Sequence, residues 1–426
     1  MALSVLLVSL GLFLALGVPV AFSLLGASVL TFFFLDVAPV IAVQQLASGI
    51  NVFTLMAIPF FVFAGDLMYR AGIAERLVRL ADAGLGRTQG GLGQVDVGAS
   101  MLFGAISGSA VASVSALGST LMPMMEEKGY DRDYAVNVTS TAAILGLIIP
   151  PSHNMIIYAA ASGIGVSIGD LFVAGIVPGL LSGILLGLAA WLVAKKRGYP
   201  RGTFPGWAVF GRAAVAAIPG LLTALIIVVG ILAGVFTPTE SAAVAVGYTV
   251  IVATLGYKSL GREGFGLAVT GAVRTTSMIM LIIGSAAAFG WLLALLEGPT
   301  RLASLVTTIT DEPAFVLLLV LVVLLILGTF MDMAPLIIIT TPIFLPMMMG
   351  LGMDPVHFGI VLMLALGIGL VTPPVGAVLF VGAAIGKLRI ESAVKTIWPF
   401  YLALILALLI TAYVPALSLT LPAMLQ

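Results

Sequence analysis

The chain has 426 residues, of which 61% are hydrophobic and only 8% charged, and its formal net charge is zero. Soluble domains carry about 25% charged residues, so lipid is the expected solvent for a chain this apolar. No basic arm for nucleic acid is present. The lack of cysteine excludes disulfides and thiolate metal sites, and two histidines, His153 and His357, disfavour a histidine-based metal centre.

Apolar segments follow one another along the whole chain. They cover residues 3–17, 18–35, 51–69, 97–125, 134–163, 167–194, 214–235, 237–257, 265–296, 314–349, 356–386 and 397–421. Residues 3–34 lack the basic n-region and the small-residue cleavage site of a signal peptide, so we interpret them as membrane-embedded structure. The pattern predicts an all-α polytopic membrane protein.

The chain contains an internal repeat. Residues 103–151 and 326–374 overlay without a gap at a constant offset of 223. The last 29 positions of this overlay include 11 identities and place Pro150-Pro151 on Pro373-Pro374. In an apolar chain such a repeat indicates two related halves built around one site, which is typical of secondary transporters.

Four of the apolar segments are interrupted near their middle. Small, polar or proline residues interrupt 97–125 and 314–349, and each is predicted to be a re-entrant hairpin of two half-helices. A double proline lies within 134–163 and within 356–386. Proline removes a backbone donor and restricts the residue before it, so each of these segments is predicted to be a helix broken inside the bilayer.

The basic residues predict the orientation. With each hairpin counted as no net crossing, five crossings remain in each half, so the halves are predicted to have inverted topology. The loops on one side then hold 17 of the 18 Lys and Arg residues, with Arg301 alone on the other side. Those loops are 70–91, 126–133, 195–212, 258–274 and 387–395. The positive-inside rule makes that side cytoplasmic and both termini external.

The predicted domains follow this topology. The first repeat, 1–194, comprises scaffold helices 1–69, an arm 70–90, a transport core 92–165 and a closing helix 167–194. A cytoplasmic linker, 195–213, leads to the second repeat, 214–426, with scaffold helices 214–296, an arm 297–312, a transport core 313–387 and a closing helix 396–421. Charged and apolar residues alternate along 70–88 as in an interfacial amphipathic helix, although a surface loop fits the pattern equally well. The sharper hypothesis is a pair of arms that tie a fixed scaffold to a mobile core.

The turns and breaks supply the candidate binding residues. A helix break leaves carbonyls without partners, and a small cation such as Na⁺ satisfies them with help from hydroxyl or carboxylate oxygens. Half-helix N-termini favour an anionic substrate. The candidate Na⁺ ligands are Ser107, Ser109, Pro150, Gly328, Asp332, Thr372, Pro373 and Gly376, and the candidate substrate contacts are Ser113, His153, Asn154 and Val375.

Each candidate also has a purely structural interpretation. The serines can serve packing, the prolines can be kinks, and His153 can be a hydrogen-bonded core residue. An acid at membrane depth indicates function by default, yet Asp332 can also cap a half-helix. For Glu240, which follows Pro238 at a predicted helix start, capping is favoured over ligation.

With these residues in view, the chain resembles the large membrane subunit of tripartite ATP-independent periplasmic (TRAP) transporters over essentially its full length. The most specific pieces are 234–243 (GVFTPTESAA), 103–113 with its Ser-Gly-Ser, 149–152 (IPPS) and 345–376. The resemblance implies an elevator-type, Na⁺-coupled importer of organic anions such as C4-dicarboxylates or sialic acid, located in the bacterial inner membrane. It implies two partners, a small membrane subunit of about four helices and a soluble periplasmic binding protein, and no organic cofactor.

The resemblance also implies two Na⁺ sites shared with a wider ion-transporter superfamily. One would use Ser107, Ser109 and the region of Pro150. The other would use Gly328, Asp332 and the region of Thr372 and Pro373; these assignments are carried over by position.

Three other functions remain open. One is a standalone Na⁺- or H⁺-coupled anion symporter that needs no binding protein, and another is a structural membrane subunit. The third is an intramembrane hydrolase with Ser107 or Ser109 as nucleophile and His153 as base. The repeat disfavours the hydrolase, because the second half has Phe330 where the first has Ser107 and Gly376 where it has His153.

Overall fold

The structure is a computed structural model that describes residues 1–298, 301 and 312–425, with only the backbone described at 105–107. Within this part the chain is helical, as predicted, and forms no β-strand beyond an isolated bridge. The α-helices are α1 Ala2–Ala15, α2 Val20–Phe34, α3 Val40–Ile50, α4 Ala57–Arg70, α5 Ile73–Leu85, α6 Gly91–Ser107, α7 Ala110–Glu127, α8 Arg132–Ala142, α9 Leu145–Ile148, α10 His153–Ser162, α11 Ile168–Arg197, α12 Trp207–Leu232, α13 Pro238–Ile251, α14 Arg262–Leu295, α15 Pro313–Gly328, α16 Met333–Gly350, α17 Pro355–Gly369, α18 Ala377–Ile385, α19 Ile390–Thr396, α20 Trp398–Tyr413 and α21 Ala416–Leu425. A 3₁₀ helix, Phe53–Met56, precedes α4 and a π-helix, Val252–Gly256, follows α13.

Several of these helices have the length and composition of membrane spans. Among the described residues, six spans qualify by length and hydropathy, and two bent helix pairs raise the number to eight. One bent pair joins α8 and α9 to α10 with a bend of 50°, and the other joins α19 to α20 with a bend of 62°. The prediction of a polytopic membrane protein is therefore confirmed at this level.

The structure departs from the predicted segments in three places. The predicted closing helix 396–421 is wrong as a single helix, because α20 ends at Tyr413 and α21 begins at Ala416. Pro415 lies in between, and Val414 before it has φ −121° and ψ 80°, outside the helical region. The linker is shorter than predicted, since α11 and α12 leave only 198–206 between them, and α3 lies in a stretch without a predicted segment.

Both predicted hairpins form two helices joined by a short turn. In the first, Gly108 and Ser109 alone separate α6 from α7, while four residues, 329–332, separate α15 from α16 in the second. The turns are short, because the flanking helices extend almost to the middle of each hairpin.

Close glycine contacts fix each hairpin against the broken helix of its own half. A Cβ on Gly104 of α6 would collide with the backbone of Gly146, and a Cβ on Gly328 of α15 would come within 2.9 Å of Gly369 Cα. These pairs are equivalent, yet their sequence spacings differ by one residue, 42 against 41. The gapless overlay therefore fails by one position within the hairpin arms. The chain has five positions from Gly104 to the N-cap Ser109 and four from Gly328 to the N-cap Asp332, which accounts for the difference.

The two double-proline segments interrupt their helices as predicted. In the first half α9 ends at Ile148 and α10 begins at His153, so 149–152 is non-helical. In the second half 370–376 separates α17 from α18. The peptide bonds Pro150-Pro151 and Pro373-Pro374 are both cis.

The helices pack into two groups joined at a boundary. In the scaffold group α14 packs against α2, α3 and α4, and α13 packs against α4 and α12. In the core group α6 packs against α7, α8 and α9, and α15 and α16 pack against α17. Helix α11 packs against α6 and α17 and against both α20 and α21, so it belongs with the core.

The predicted first arm is a helix that contacts both groups. Helix α5 packs against α6 of the core and α12 of the scaffold, and it buries Ile73, Leu77 and Val78. The guanidinium of Arg76 lies 3.7 Å from the centre of the Tyr257 ring, a cation–π contact with the scaffold. The predicted second arm, 297–312, lies almost entirely outside the described residues.

The linker between the halves is fastened to the core. Arg197 at the end of α11 forms a bidentate ion pair with Asp133, both bonds at 2.8 Å. Burial raises the pKa of Tyr199 to about 12, so its hydroxyl stays protonated and donates to Asp131 Oδ2 at 2.7 Å. Gly90 N donates to Pro200 O at 3.1 Å. These contacts hold the first residues of the linker beside the start of α6.

Candidate functional site

The two hairpin turns and the first broken helix meet at one cavity of about 460 Å³ on the boundary between core and scaffold. From the core its walls include Gly108, Ser109, Ala110, Val111, Ala112, Ser115, Leu147, His153, Asn154, Asp332, Met333, Ala334, Pro335 and Leu370. From the scaffold they include Val62, Gly65, Asp66 and Tyr69 of α4 and Gly271, Thr275, Met278, Ile279 and Ile282 of α14.

The first hairpin turn is held by the helix that follows the break. Gly108 has φ 61°, which favours glycine, and its carbonyl accepts a hydrogen bond from Asn154 Nδ2 at 3.0 Å. A Cβ on Gly108 would lie 2.8 Å from His153 Nδ1, so the turn and the start of α10 are in direct contact. Ser109 is the N-cap of α7, and its Oγ accepts from Ala112 N at 3.3 Å.

The second hairpin turn presents a carboxylate. Asp332 is the N-cap of α16, and its Oδ1 accepts from Met333 N at 2.8 Å. Its side chain is also exposed and lines the cavity. The capping and cavity interpretations of Asp332 are therefore compatible, because one oxygen caps the half-helix while the carboxylate faces open space.

The second break is tied to its own hairpin and to α20. Gly376 N donates to Thr329 O at 3.0 Å, which joins the break to the turn. The carbonyl of Val371, freed by the break, accepts from the Tyr401 hydroxyl at 2.5 Å. The Thr372 hydroxyl donates back to Ile368 O at 2.7 Å.

The structure brings together four of the predicted site residues at the cavity wall, namely Ser109, Asp332, His153 and Asn154. The other residues lie off that wall. Ser113 is fully buried inside the hairpin, and Val375 is 43% exposed and does not line the cavity. Four more, Pro150, Thr372, Pro373 and Gly376, lie in the two breaks, and Gly328 lies at the end of α15; none of them lines the cavity. The side chain of Ser107 is outside the described atoms.

Sequence reasoning missed two features of the site. Ser152, directly after the first double proline, is fully buried, and within the described structure its Oγ has no hydrogen-bond partner. Asp66 lines the cavity from the scaffold. The rule that an acid within a membrane segment indicates function, applied to Asp332, would have found Asp66 in segment 51–69 as well.

The charged side chains in the cavity wall are acidic. Within the described part of the chain they are Asp66 and Asp332, one from each helix group. An organic anion placed between them is repelled unless cations enter with it. Carboxylate, hydroxyl and backbone carbonyl oxygens at the turns are the ligand types that hard monovalent cations favour.

Glu240, considered as a ligand or a cap, is a cap. Glu240 Oε2 accepts from Thr237 N at 2.8 Å and Glu240 N donates to Thr237 Oγ1 at 3.3 Å, which forms a reciprocal capping box at the start of α13.

Comparison with known proteins gives one consistent family. Residues 7–417 match the family model described as "Tripartite ATP-independent periplasmic transporter, DctM component". The chain is 41% identical over 418 residues to the uncharacterized protein YgiK of Salmonella typhimurium, covering 97% of this chain and 95% of that one. It is 38% identical over 415 residues to the sialic acid TRAP transporter large permease protein SiaM of Vibrio cholerae, covering 97% and 96%.

Two further relatives extend this comparison. The isethionate TRAP transporter permease protein DctMQ of Oleidesulfovibrio alaskensis is 39% identical over 407 residues, covering 95% of this chain but 64% of that longer protein. Among solved structures, the YdaH transporter of Alcanivorax borkumensis aligns with a TM-score of 0.61 at 15% identity, covering 87% of this chain and 86% of that one. The likeness to YdaH shows a shared fold.

Proposed function

Because this chain belongs to the DctM family of tripartite ATP-independent periplasmic transporters, as a large permease component, we propose that it imports an organic anion of the carboxylate class together with Na⁺. We further propose that a periplasmic binding protein delivers the substrate and that the core moves against the scaffold as an elevator.

One observation carries the proposal. Two hairpin turns and the first broken helix converge on a single cavity, and the cavity lies where the core meets the scaffold. Broken helices expose backbone dipoles that hold ions and substrate near mid-membrane in secondary transporters. Here α7 and α16 begin at the cavity, so two helix N-termini, with Ser109 and Asp332 as caps, face the same space.

Cation coupling is supported by the electrostatics of that cavity. Asp66 and Asp332 face it, and no lysine or arginine lines it within the described residues. An anionic substrate therefore needs co-bound cations, and mutual neutralisation lowers the cost of carrying both across the membrane. Oxygen ligands at the turns suit Na⁺.

Movement of the core is supported by a second cavity. This cavity has a volume of about 820 Å³ and lies at the end of α10, the start of α11 and the end of α12. The loops that connect to these helix ends contain no lysine or arginine. The first cavity lies beside the end of α4, which adjoins the basic loop after Tyr69, and beside the middle of α14. With the basic loops in the cytoplasm, the binding turns face inward, and space remains on the periplasmic side of the core.

Substrate class and partners are proposed from the relatives. Two relatives are named for organic anions, sialic acid and isethionate. The relative DctMQ is a permease protein longer than this chain, which supports a small membrane subunit as a partner here. We place the assembly in the bacterial inner membrane with both termini in the periplasm, as the basic loops predict.

The test is uptake into proteoliposomes that contain this chain with its small subunit and binding protein. We expect uptake under an imposed Na⁺ gradient and little under a proton gradient of equal size. Equal uptake under a proton gradient alone would rule out Na⁺ coupling. Uptake by this chain without its partners would support the standalone symporter instead.

A further inference from the structure

The scaffold side of the cavity carries an ion pair of unusual geometry. Asp66 and Arg70 lie one turn apart near the end of α4, with Asp66 Oδ2 3.9 Å from Arg70 Nε. Neither atom is accessible to solvent, and neither makes a hydrogen bond within the described structure. The cavity face of α4 also includes Val62, Gly65 and Tyr69, at the helical spacing of one stripe. Asp66 therefore lies at the cavity wall, facing the space between the hairpin turns, while Arg70 is not part of that wall.

A glycine of α14 keeps the carboxylate in this place. Gly271 faces Asp66 so closely that a Cβ there would overlap Asp66 Oδ2. The carboxylate is thus confined between α4 and α14, with an arginine nearby that does not hydrogen-bond to it. A carboxylate with one buried oxygen that has no donor is unfavourable, and a cation that binds the part of the carboxylate exposed to the cavity relieves part of this penalty.

The position of Asp66 matters because the core carries its own carboxylate. Asp332 faces the same cavity from the second hairpin turn, so a cation in that cavity has a carboxylate of the core and a carboxylate of the scaffold within the same walls. Arg70, at 3.9 Å, competes with that cation for Asp66. The competition keeps binding at Asp66 weak, and weak binding lets the cation leave.

We propose that Asp66 is a cation-accepting residue of the scaffold, which receives the coupling cation as it leaves the hairpin turns and passes it to the cytoplasm. The inference rests on the Na⁺ coupling and the orientation proposed above. Arg70 sets the affinity of this transient position, and Gly271 makes room for it.

The experiment measures how Na⁺ inside proteoliposomes inhibits uptake by the complete assembly. For Asp66→Asn, which keeps the shape and removes the charge, we expect the internal Na⁺ concentration for half-inhibition to rise about fivefold. For Arg70→Gln we expect that concentration to fall, because the competing guanidinium is gone. In both variants the internal Na⁺ concentration for half-inhibition should shift more than the external Na⁺ concentration for half-maximal uptake. Asp36→Asn is the matched control, since Asp36 is exposed in the scaffold and away from the cavity.

The outcomes separate this inference from the proposed function. The role of Asp66 would be overturned if a folded Asp66→Asn protein were inhibited by internal Na⁺ as the wild type is. It would also be overturned if the half-inhibiting concentration shifted in the same direction in both variants. If Asp66→Asn does not fold, the direction of the Arg70→Gln shift decides. Wild-type uptake that needs no Na⁺ would instead overturn the proposed coupling itself.

Discussion

The two hairpins of this protein use the same backbone device with different side chains. In each half a glycine of the hairpin touches a glycine of the broken helix, Gly104 with Gly146 and Gly328 with Gly369. The turns themselves differ, since a neutral Ser109 caps the first and a charged Asp332 caps the second. Close backbone packing is therefore common to both halves, whereas only the second turn carries a charged cap.

The hydrogen bonds that secure the turns and breaks also differ between the halves. In the first, the side chain of Asn154 holds the carbonyl of Gly108. In the second half, the Tyr401 hydroxyl donates a hydrogen bond to the carbonyl of Val371, and the backbone N–H of Gly376 donates one to the carbonyl of Thr329. In each half, buried carbonyls at the turn or break therefore accept hydrogen bonds from whichever donors lie next to them.

The largest effect is expected at the glycine contacts. Gly104→Val and Gly328→Val each push side-chain atoms into a neighbouring backbone, and we expect each to cost about 3 kcal/mol or more and to abolish uptake. Thermal unfolding in detergent and proteoliposome uptake measure both. Gly266→Ala is the control, because a Cβ there meets open space. Wild-type stability in one variant alone would show that the halves do not share this contact.

The next largest effect is expected from the donors to the freed carbonyls. Asn154→Leu and Tyr401→Phe each leave a buried carbonyl without its donor, at a cost of about 1–3 kcal/mol. Tyr413→Phe is the matched control, since Tyr413 donates to Ala314 O from an exposed position and should cost less. Denaturant unfolding in detergent measures all three. If Tyr401→Phe were as stable as the wild type, the Tyr401 hydroxyl would not stabilise the second break.

The charged turn gives a smaller effect that appears in transport. Asp332→Asn keeps a good N-cap but loses the charge, so folding should be preserved while the Na⁺ concentration for half-maximal uptake rises about tenfold. Uptake at varied external Na⁺, with thermal unfolding as the folding control, tests this. An unchanged Na⁺ dependence would remove Asp332 from the cation site.

The neutral turn should give the smallest effect. Ser109→Ala removes one uncharged oxygen and an N-cap worth about 1 kcal/mol, and we expect the half-maximal Na⁺ concentration to rise about threefold with the protein still folded. The same Na⁺ titration of uptake measures it. A larger shift here than in Asp332→Asn would reverse the comparison between the two turns.

Local chemistry explains which parts of the fold were predictable. A double proline in the interior of a helix interrupts it, so both breaks follow from the position of Pro150-Pro151 and Pro373-Pro374 near the middle of long apolar segments. The capping role of Glu240 also follows from its spacing to Thr237. Pro415 likewise predicts the break after α20, but the segment 397–421 was interpreted as one helix because it is apolar throughout.

Contacts between distant segments could not be predicted in the same way. The one-residue difference between the glycine spacings depends on how each hairpin lies against its broken helix, and a gapless overlay has no means to show it. Ser113 and Val375 are candidate substrate contacts by their positions in the sequence. In the structure Ser113 is buried inside the hairpin and Val375 lies outside the cavity.

The sequence by itself determined that the chain is a helical membrane protein with two interrupted helices and two hairpins, because composition and proline act locally. Only the tertiary structure decided that Asp66 of the scaffold and Asp332 of the core face one cavity. The residues are 266 positions apart in the chain. Their proximity depends on the packing of two helix groups, which no local pattern encodes.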